Sequence, residues 1–216
     1  MITHDGVSKS YRTANGYRVI LDDVSILLPT DRHIGVLGRN GAGKSTLLRM
    51  ISGEEEPDTG KITRRARVSW PLGFTGGFHP ALTARENLRF ISRIYNSDIE
   101  EVTAFVDDFA ELGDYFDMPI STLSSGMRAR LAFGLSLAMR FDFYLIDEIV
   151  SVGDYWFRAK AQAEFDRIRN ESGMLLVSHS PATIRKFCDT GLVLRNGRLV
   201  MFDALEDAID FYLDDD

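Results

Sequence analysis

Three apolar runs punctuate the chain, each too short for a helix: His33-Ile34-Gly35-Val36-Leu37, residues 141–146 and residues 174–177. Continuous apolarity without alternation predicts central strands covered on both faces. The first run passes through a Gly-rich turn into residues 43–51, which predict a helix. Residues 19–28 and 61–70 predict antiparallel strands flanking that first strand. The segment 84–116 is mostly helical: Ala84-Arg85-Glu86-Asn87 opens one helix, residues 98–112 form a second, and Gly113 breaks it. A nearly all-apolar helix over 129–139 follows Leu123-Ser124, with Ser124 as its expected N-cap. Strands alternating with helices predict an α/β fold with a mostly parallel sheet. The expectation is one domain over 1–216, with an N-terminal antiparallel β subdomain and an inserted helical subdomain over about 84–138. No internal repeat or low-complexity linker interrupts it. The acidic end, Asp214-Asp215-Asp216, reads as solvated.

Composition narrows the class. A chain of 216 residues can bury a sizeable core. No apolar run approaches the roughly 18 residues of a membrane span. The start, Met1-Ile2-Thr3-His4-Asp5, lacks the basic and apolar regions of a signal peptide. The single cysteine, Cys188, reads as a buried thiol in a reducing compartment. A net charge of −7 argues against a nucleic-acid partner, which calls for a basic face. The densest basic group, Arg64, Arg65 and Arg67, reads as a solvated turn.

Chemistry enters with Gly38-Arg39-Asn40-Gly41-Ala42-Gly43-Lys44-Ser45, a G-x-x-x-x-G-K-S loop followed by Thr46. Glycines let the backbone curl so that successive N–H groups face one concavity, and the following helix adds its positive end. Lys44 is placed to reach the terminal phosphates of a nucleotide, and Ser45 to ligate Mg²⁺. The strand before and helix after complete the required context, so the core reads as a P-loop NTPase. Phe143-Tyr144-Leu145-Ile146-Asp147-Glu148 is an apolar strand ending in two acids. Asp147 falls at the carboxyl end of a parallel strand, where it can share the Mg²⁺ with Ser45. Glu148, facing another way, is placed to polarise an attacking water.

The order of these motifs resembles the ABC ATPase family. The family signature, usually L-S-G-G-Q, corresponds to Leu123-Ser124-Ser125-Gly126-Met127. Its switch histidine corresponds to His179, its D-loop aspartate to Asp154, and its adenine platform to Tyr11, with Tyr17 a nearby competitor. The resemblance implies ATP and Mg²⁺ as cofactors and Glu148, His179 and Lys44 as catalytic residues. It also implies a homodimer in which Ser124, Ser125 and Gly126 of one copy meet the γ-phosphate held by the other. Two departures stand out. Residues 70–80 hold no glutamine, although the family has one there, and the only Gln in the chain is Gln162. Ser125 and Met127 replace the usual Gly and Gln of the signature.

Ser69-Trp70-Pro71-Leu72-Gly73-Phe74-Thr75-Gly76-Gly77-Phe78, together with Leu82-Thr83-Ala84-Arg85-Glu86-Asn87 and Phe116-Asp117-Met118-Pro119-Ile120, looks like the capsular polysaccharide exporter subunits of Gram-negative bacteria. That resemblance implies an integral membrane permease partner, a lipid-linked polysaccharide as cargo, and a peripheral position on the cytoplasmic side of the inner membrane. Related O-antigen exporters append a carbohydrate-binding domain; ending at Asp216, the chain is expected to be the capsule type. Phe74, Phe78, Pro80 and Leu82 are either a partner-gripping aromatic loop or internal packing. Alternative functions are a soluble ABC ATPase acting on DNA or ribosomes, a small-molecule phosphotransferase, and a non-catalytic nucleotide module. The single cassette, the signature segment, and the joint presence of Lys44, Asp147, Glu148 and His179 disfavour them in turn.

Overall fold

The computed structural model describes residues 1–14, 16–147, 155–178 and 180–214, excluding the side chains of Tyr155 and Trp156. In chain order the elements are β1 (Ile2–Thr13), β2 (Gly16–Leu28), β3 (His33–Leu37), α1 (Lys44–Ser52), β4 (Thr59–Arg64) and β5 (Val68–Pro71), then α2 (Ala84–Ile94), α3 (Ile99–Ala110), α4 (Ser125–Ala138) and β6 (Phe143–Asp147). The chain continues through α5 (Tyr155–Glu171), β7 (Gly173–Val177), α6 (Pro181–Phe187), β8 (Thr190–Arg195), β9 (Arg198–Phe202) and α7 (Leu205–Leu213). No helix among the described residues is long and apolar enough to cross a membrane.

The chain divides into two compact units. The first comprises Met1–Pro71, Phe141–Ile149 and Glu171–Asp216. It holds a three-stranded antiparallel sheet, β2-β1-β4, and a six-stranded sheet, β5-β6-β7-β3-β8-β9. Every pairing in the second sheet is parallel except β8 with β9. The three predicted apolar runs are three of its four interior strands, and each is buried almost throughout. One apolar cluster joins Ile34, Val36, Leu145, Leu175 and Leu192 of this sheet to Leu47, Leu48 and Met50 of α1 and to Ile2, Leu21 and Ile62 of the other sheet. Cys188 is a buried free thiol, as expected.

The segment 61–70, expected as one antiparallel strand, is two strands in different sheets. β4 pairs antiparallel with β1, whereas β5 pairs parallel with β6. The break falls at the arginines. Arg64 is not a solvated turn residue: its Nε donates to Ile51 O at 2.7 Å and its Nη2 to Met50 O at 2.5 Å. It thereby adds donors to carbonyls in the last turn of α1, where a cation also suits the helix dipole. Arg65 and Arg67 are exposed.

His4 on β1 is 1% exposed, and neither ring nitrogen has a hydrogen-bond partner. Burial first, then the Arg64 guanidinium, lowers its pKa to about 4. The unfolded chain therefore takes up a proton between pH 6.5 and 4 that the folded chain refuses, so stability falls as pH falls through that window. The loss is about 2 kcal/mol by pH 5. Urea unfolding of His4→Phe should show a smaller drop in stability from pH 7 to pH 5 than the parent; an equal drop would remove His4 as the cause.

The second unit comprises Leu72–Arg140 and Val150–Asn170. The helical segment expected over 84–138 lies within it, but the unit also takes in α5. Phe157 of α5 meets Phe109 edge-on, with ring centroids 5.1 Å apart, and Arg130 lies 4.7 Å over the Phe157 ring. Lys160 pairs with Asp108 at 3.2 Å and Glu111 at 3.0 Å. α2 starts on a reciprocal Thr83–Glu86 capping box. α3 ends at Ala110 rather than 112, because Glu111 already adopts a left-handed conformation (φ 52°). α4 begins four residues before the expected 129, directly after its N-cap Ser124.

Candidate functional site

β3 delivers the chain into the Gly-rich loop and α1 carries it away, as the sequence predicts. Gly41 (φ 78°) and Gly43 (φ 110°) occupy left-handed backbone that L side chains rarely adopt, so the curl of the loop depends on them. Lys44 opens α1 and is only 7% exposed. Its Nζ turns back to donate to Gly38 O at 2.6 Å and Arg39 O at 3.2 Å. A buried ammonium thus sits inside the loop, held by the loop's own carbonyls.

Sheet order sets the second half of the site. β7 lies between β3 and β6, and Asp147 is in register with Val177 at their carboxyl ends. Ser45 Oγ donates to Asp147 Oδ2 at 2.9 Å across 102 residues of sequence. A hydroxyl and a carboxylate side by side form a hard oxygen donor pair that fits Mg²⁺.

A cavity of about 620 Å³ lies over this pair, lined by Tyr11, Thr13, Arg18, Ile20, Asn40, Gly41, Gly43, Lys44, Ser45, Thr46, Asp147 and Val177. Tyr11, not Tyr17, is the aromatic at the cavity; Tyr17 is 74% exposed and absent from the lining. Tyr11 is also fixed in place. Its hydroxyl donates to Glu55 Oε1 at 2.5 Å and lies 3.3 Å from Thr46 Oγ1. Glu55 in turn pairs with Lys9 at 3.0 Å and Arg49 at 3.1 Å. Burial pushes the Glu55 carboxyl up, but hydrogen bonds from Tyr11, Lys9 and Arg49 outweigh it and leave its pKa below the usual range. Thr13, Arg18, Ile20 and Val177 escaped the sequence reading. For Arg18 a signal comes only with strand register, which sets it directly opposite Tyr11.

Ser124, Ser125 and Gly126 stand at the start of α4 in the second unit. Ser124 Oγ accepts from Met127 N at 3.2 Å, and all three residues are exposed. The adjoining Phe74 and Pro80 are exposed, whereas Phe78 and Leu82 are half-buried. Buried Asn87 anchors that stretch: its Oδ1 accepts from His79 N at 2.7 Å and its Nδ2 donates to Thr83 O at 2.8 Å. Three sequence candidates, Glu148, Asp154 and His179, lie outside the described residues.

A family model described as ABC transporter matches residues 21–151. The chain belongs to the ABC transporter family. As an ABC ATPase it hydrolyses ATP, and its core and appended helical unit have the architecture of an ABC cassette. It is 49% identical to the capsule polysaccharide export ATP-binding protein CtrD of Neisseria meningitidis serogroup B, over 98% of both chains. It is 46% identical to the polysialic acid transport ATP-binding protein KpsT of Escherichia coli, over 98% of this chain and 96% of that one. The ATP-binding protein BexA of Haemophilus influenzae is likewise 46% identical, over 98% of both. Among solved structures, the dimeric post-hydrolysis cassette MJ0796 bound to ADP and Pi superposes with a TM-score of 0.73 at 19% identity, covering 94% of this chain and 98% of that one, a likeness of fold.

Proposed function

We propose that this ABC cassette is the ATP-hydrolysing subunit of an exporter of lipid-linked capsular polysaccharide, paired with a second copy and with an integral membrane permease at the cytoplasmic face of the inner membrane. The observation that carries this reading is relatedness of 46–49% over nearly the whole chain to capsule-type export subunits. Local chemistry agrees with it at each step. The loop of residues 38–45 and the start of α1 offer N–H groups and the Lys44 ammonium to a polyphosphate, and Tyr11 presents an immobilised ring for adenine. Ser45 and Asp147 would hold Mg²⁺, which neutralises phosphate charge when bound. Glu148 polarises the attacking water and His179 donates toward the γ-phosphate. In the paired state, Ser124, Ser125 and Gly126 of one copy bring the exposed start of α4 to the nucleotide of the other. Neither copy then holds a complete γ-phosphate pocket, so hydrolysis releases the pair.

The permease contact is assigned to the loop bearing Phe74 and Pro80. Phe74 is 41% exposed on a stretch that Asn87 pins at its far end. An exposed aromatic on an anchored loop suits insertion into a partner groove. Phe74→Asp should abolish co-purification of the permease while ATP binding stays at the parent level. Retained co-purification would move the contact elsewhere, and co-purification of nucleic acid in place of a membrane protein would overturn the exporter reading.

A further inference from the structure

The ATP site already described contains a cation that no sequence motif announces. Arg18 lies on β2 directly opposite Tyr11 on β1, so the two side chains share one face of the antiparallel pair. Both line the nucleotide cavity. The Arg18 guanidinium reaches across to the Gly-rich loop, where Nη2 donates to the carbonyl of Gly41. The approach is close enough that a Cβ built on Gly41 would lie 2.6 Å from that nitrogen.

The setting is locally cationic in an acidic chain. Its net charge is −7, and Lys9, Arg49, Arg85, Lys160 and Arg185 are all paired with carboxylates. Arg18 has no carboxylate partner among the described residues. Behind it a second cavity, of about 390 Å³, is lined by Arg18, Arg39 and Arg195 and by no carboxylate. Arg18 therefore divides two cavities and carries an uncompensated positive charge at the rim of a polyphosphate site. A neutral carbonyl is a weak partner for a guanidinium. Hydrogen bonds to an ionised acceptor are roughly twice as strong, and phosphate oxygens match the guanidinium fork in bidentate fashion.

We propose that Arg18 is a phosphate-contacting residue of the nucleotide site, exchanging the Gly41 carbonyl for polyphosphate oxygens when a nucleoside triphosphate enters. This rests on the reading of the cavity as the ATP site. Arg18 then supplies a second cation, on the wall formed by β1 and β2, while Lys44 acts from inside the loop. Tyr11 and Arg18, a single cross-strand pair, divide recognition between base and phosphate.

The test is a calorimetric titration of ATP, ADP and AMP into the parent chain and into Arg18→Lys, Arg18→Gln and Arg18→Ala. Arg18 is exposed, so all four proteins should unfold at similar temperatures. Arg18→Gln and Arg18→Ala should lose about tenfold in ATP affinity, with a smaller loss for ADP and less again for AMP. Arg18→Lys keeps the charge but loses the bidentate fork, so its affinity should fall between those of the parent and Arg18→Gln. Glutamine keeps a neutral donor for Gly41, so parent-like binding by Arg18→Gln would reduce Arg18 to a loop tether and overturn the proposal. Equal losses for all three nucleotides would overturn it too, by assigning Arg18 to the base or ribose. A parent chain that binds none of them would defeat the underlying site reading as well.

Discussion

Lys44→Ala is expected to lower kcat/KM for ATP by about a thousandfold or more, the upper end of what one preorganised donor contributes to a developing anion. Position and burial both support this size. The ammonium is 7% exposed, so its field is little screened by water, and it lies 2.6 Å from Gly38 O at the mouth of the loop. Alanine removes the charge while preserving the helix, because Ala has the highest helix propensity and α1 is fastened independently by its apolar face and by Arg64. The thermal midpoint should therefore change little while turnover and ATP retention both vanish. Steady-state phosphate release together with nucleotide retention on a desalting column checks it. Turnover within tenfold of the parent would mean that Lys44 does not face the transferred phosphate.

Glu148→Gln is expected to separate binding from chemistry. Glutamine is nearly isosteric with glutamate but cannot accept a proton from the attacking water, and loss of a general base costs about a hundred- to ten-thousandfold. The cavity residues proposed to hold ATP (Tyr11, Lys44 and Ser45) are untouched. ATP should then accumulate on the variant and lock two copies together, visible as an ATP-dependent shift to dimer mass in light scattering. Lys44→Ala should show no such shift. Opposite behaviour of the two variants is the decisive pattern. A Glu148→Gln chain that hydrolyses ATP at the parent rate would remove Glu148 from the chemistry.

Much of the core was legible from the chain because local and global signals agree there. Continuous apolar runs gave β3, β6 and β7, and the G-x-x-x-x-G-K-S spacing located the loop between β3 and α1. Other features depended on information that periodicity does not carry. β1 alternates irregularly because its pairing with β2 slips at three places, which hides the two-residue period. The division of segment 61–70 between two sheets coincides with Arg64, which reaches back to α1 in a contact that strand periodicity does not announce. The β8–β9 hairpin carries a local signal: Asn196 (φ 47°) and Gly197 (φ 78°) form the two-residue turn that Asn-Gly favours. Within the site, the motifs gave Lys44, Ser45 and Asp147. Arg18 needed register, because neither its neighbours nor its spacing sets it apart from any exposed strand arginine.

The placement of β3 has a consequence for how the protein is born. Its two flanking strands are β7 and β8, which begin about 140 and 157 residues after it does. At elongation rates of about 5–20 residues per second, the nascent β3 waits on the order of ten seconds for its neighbours. Throughout that interval its apolar edges are unpaired and the Gly-rich turn has no scaffold. Nucleotide capture is thus deferred until nearly the whole polypeptide has emerged, and C-terminal truncations reaching into β8 should strand an aggregation-prone intermediate rather than yield a weakened enzyme.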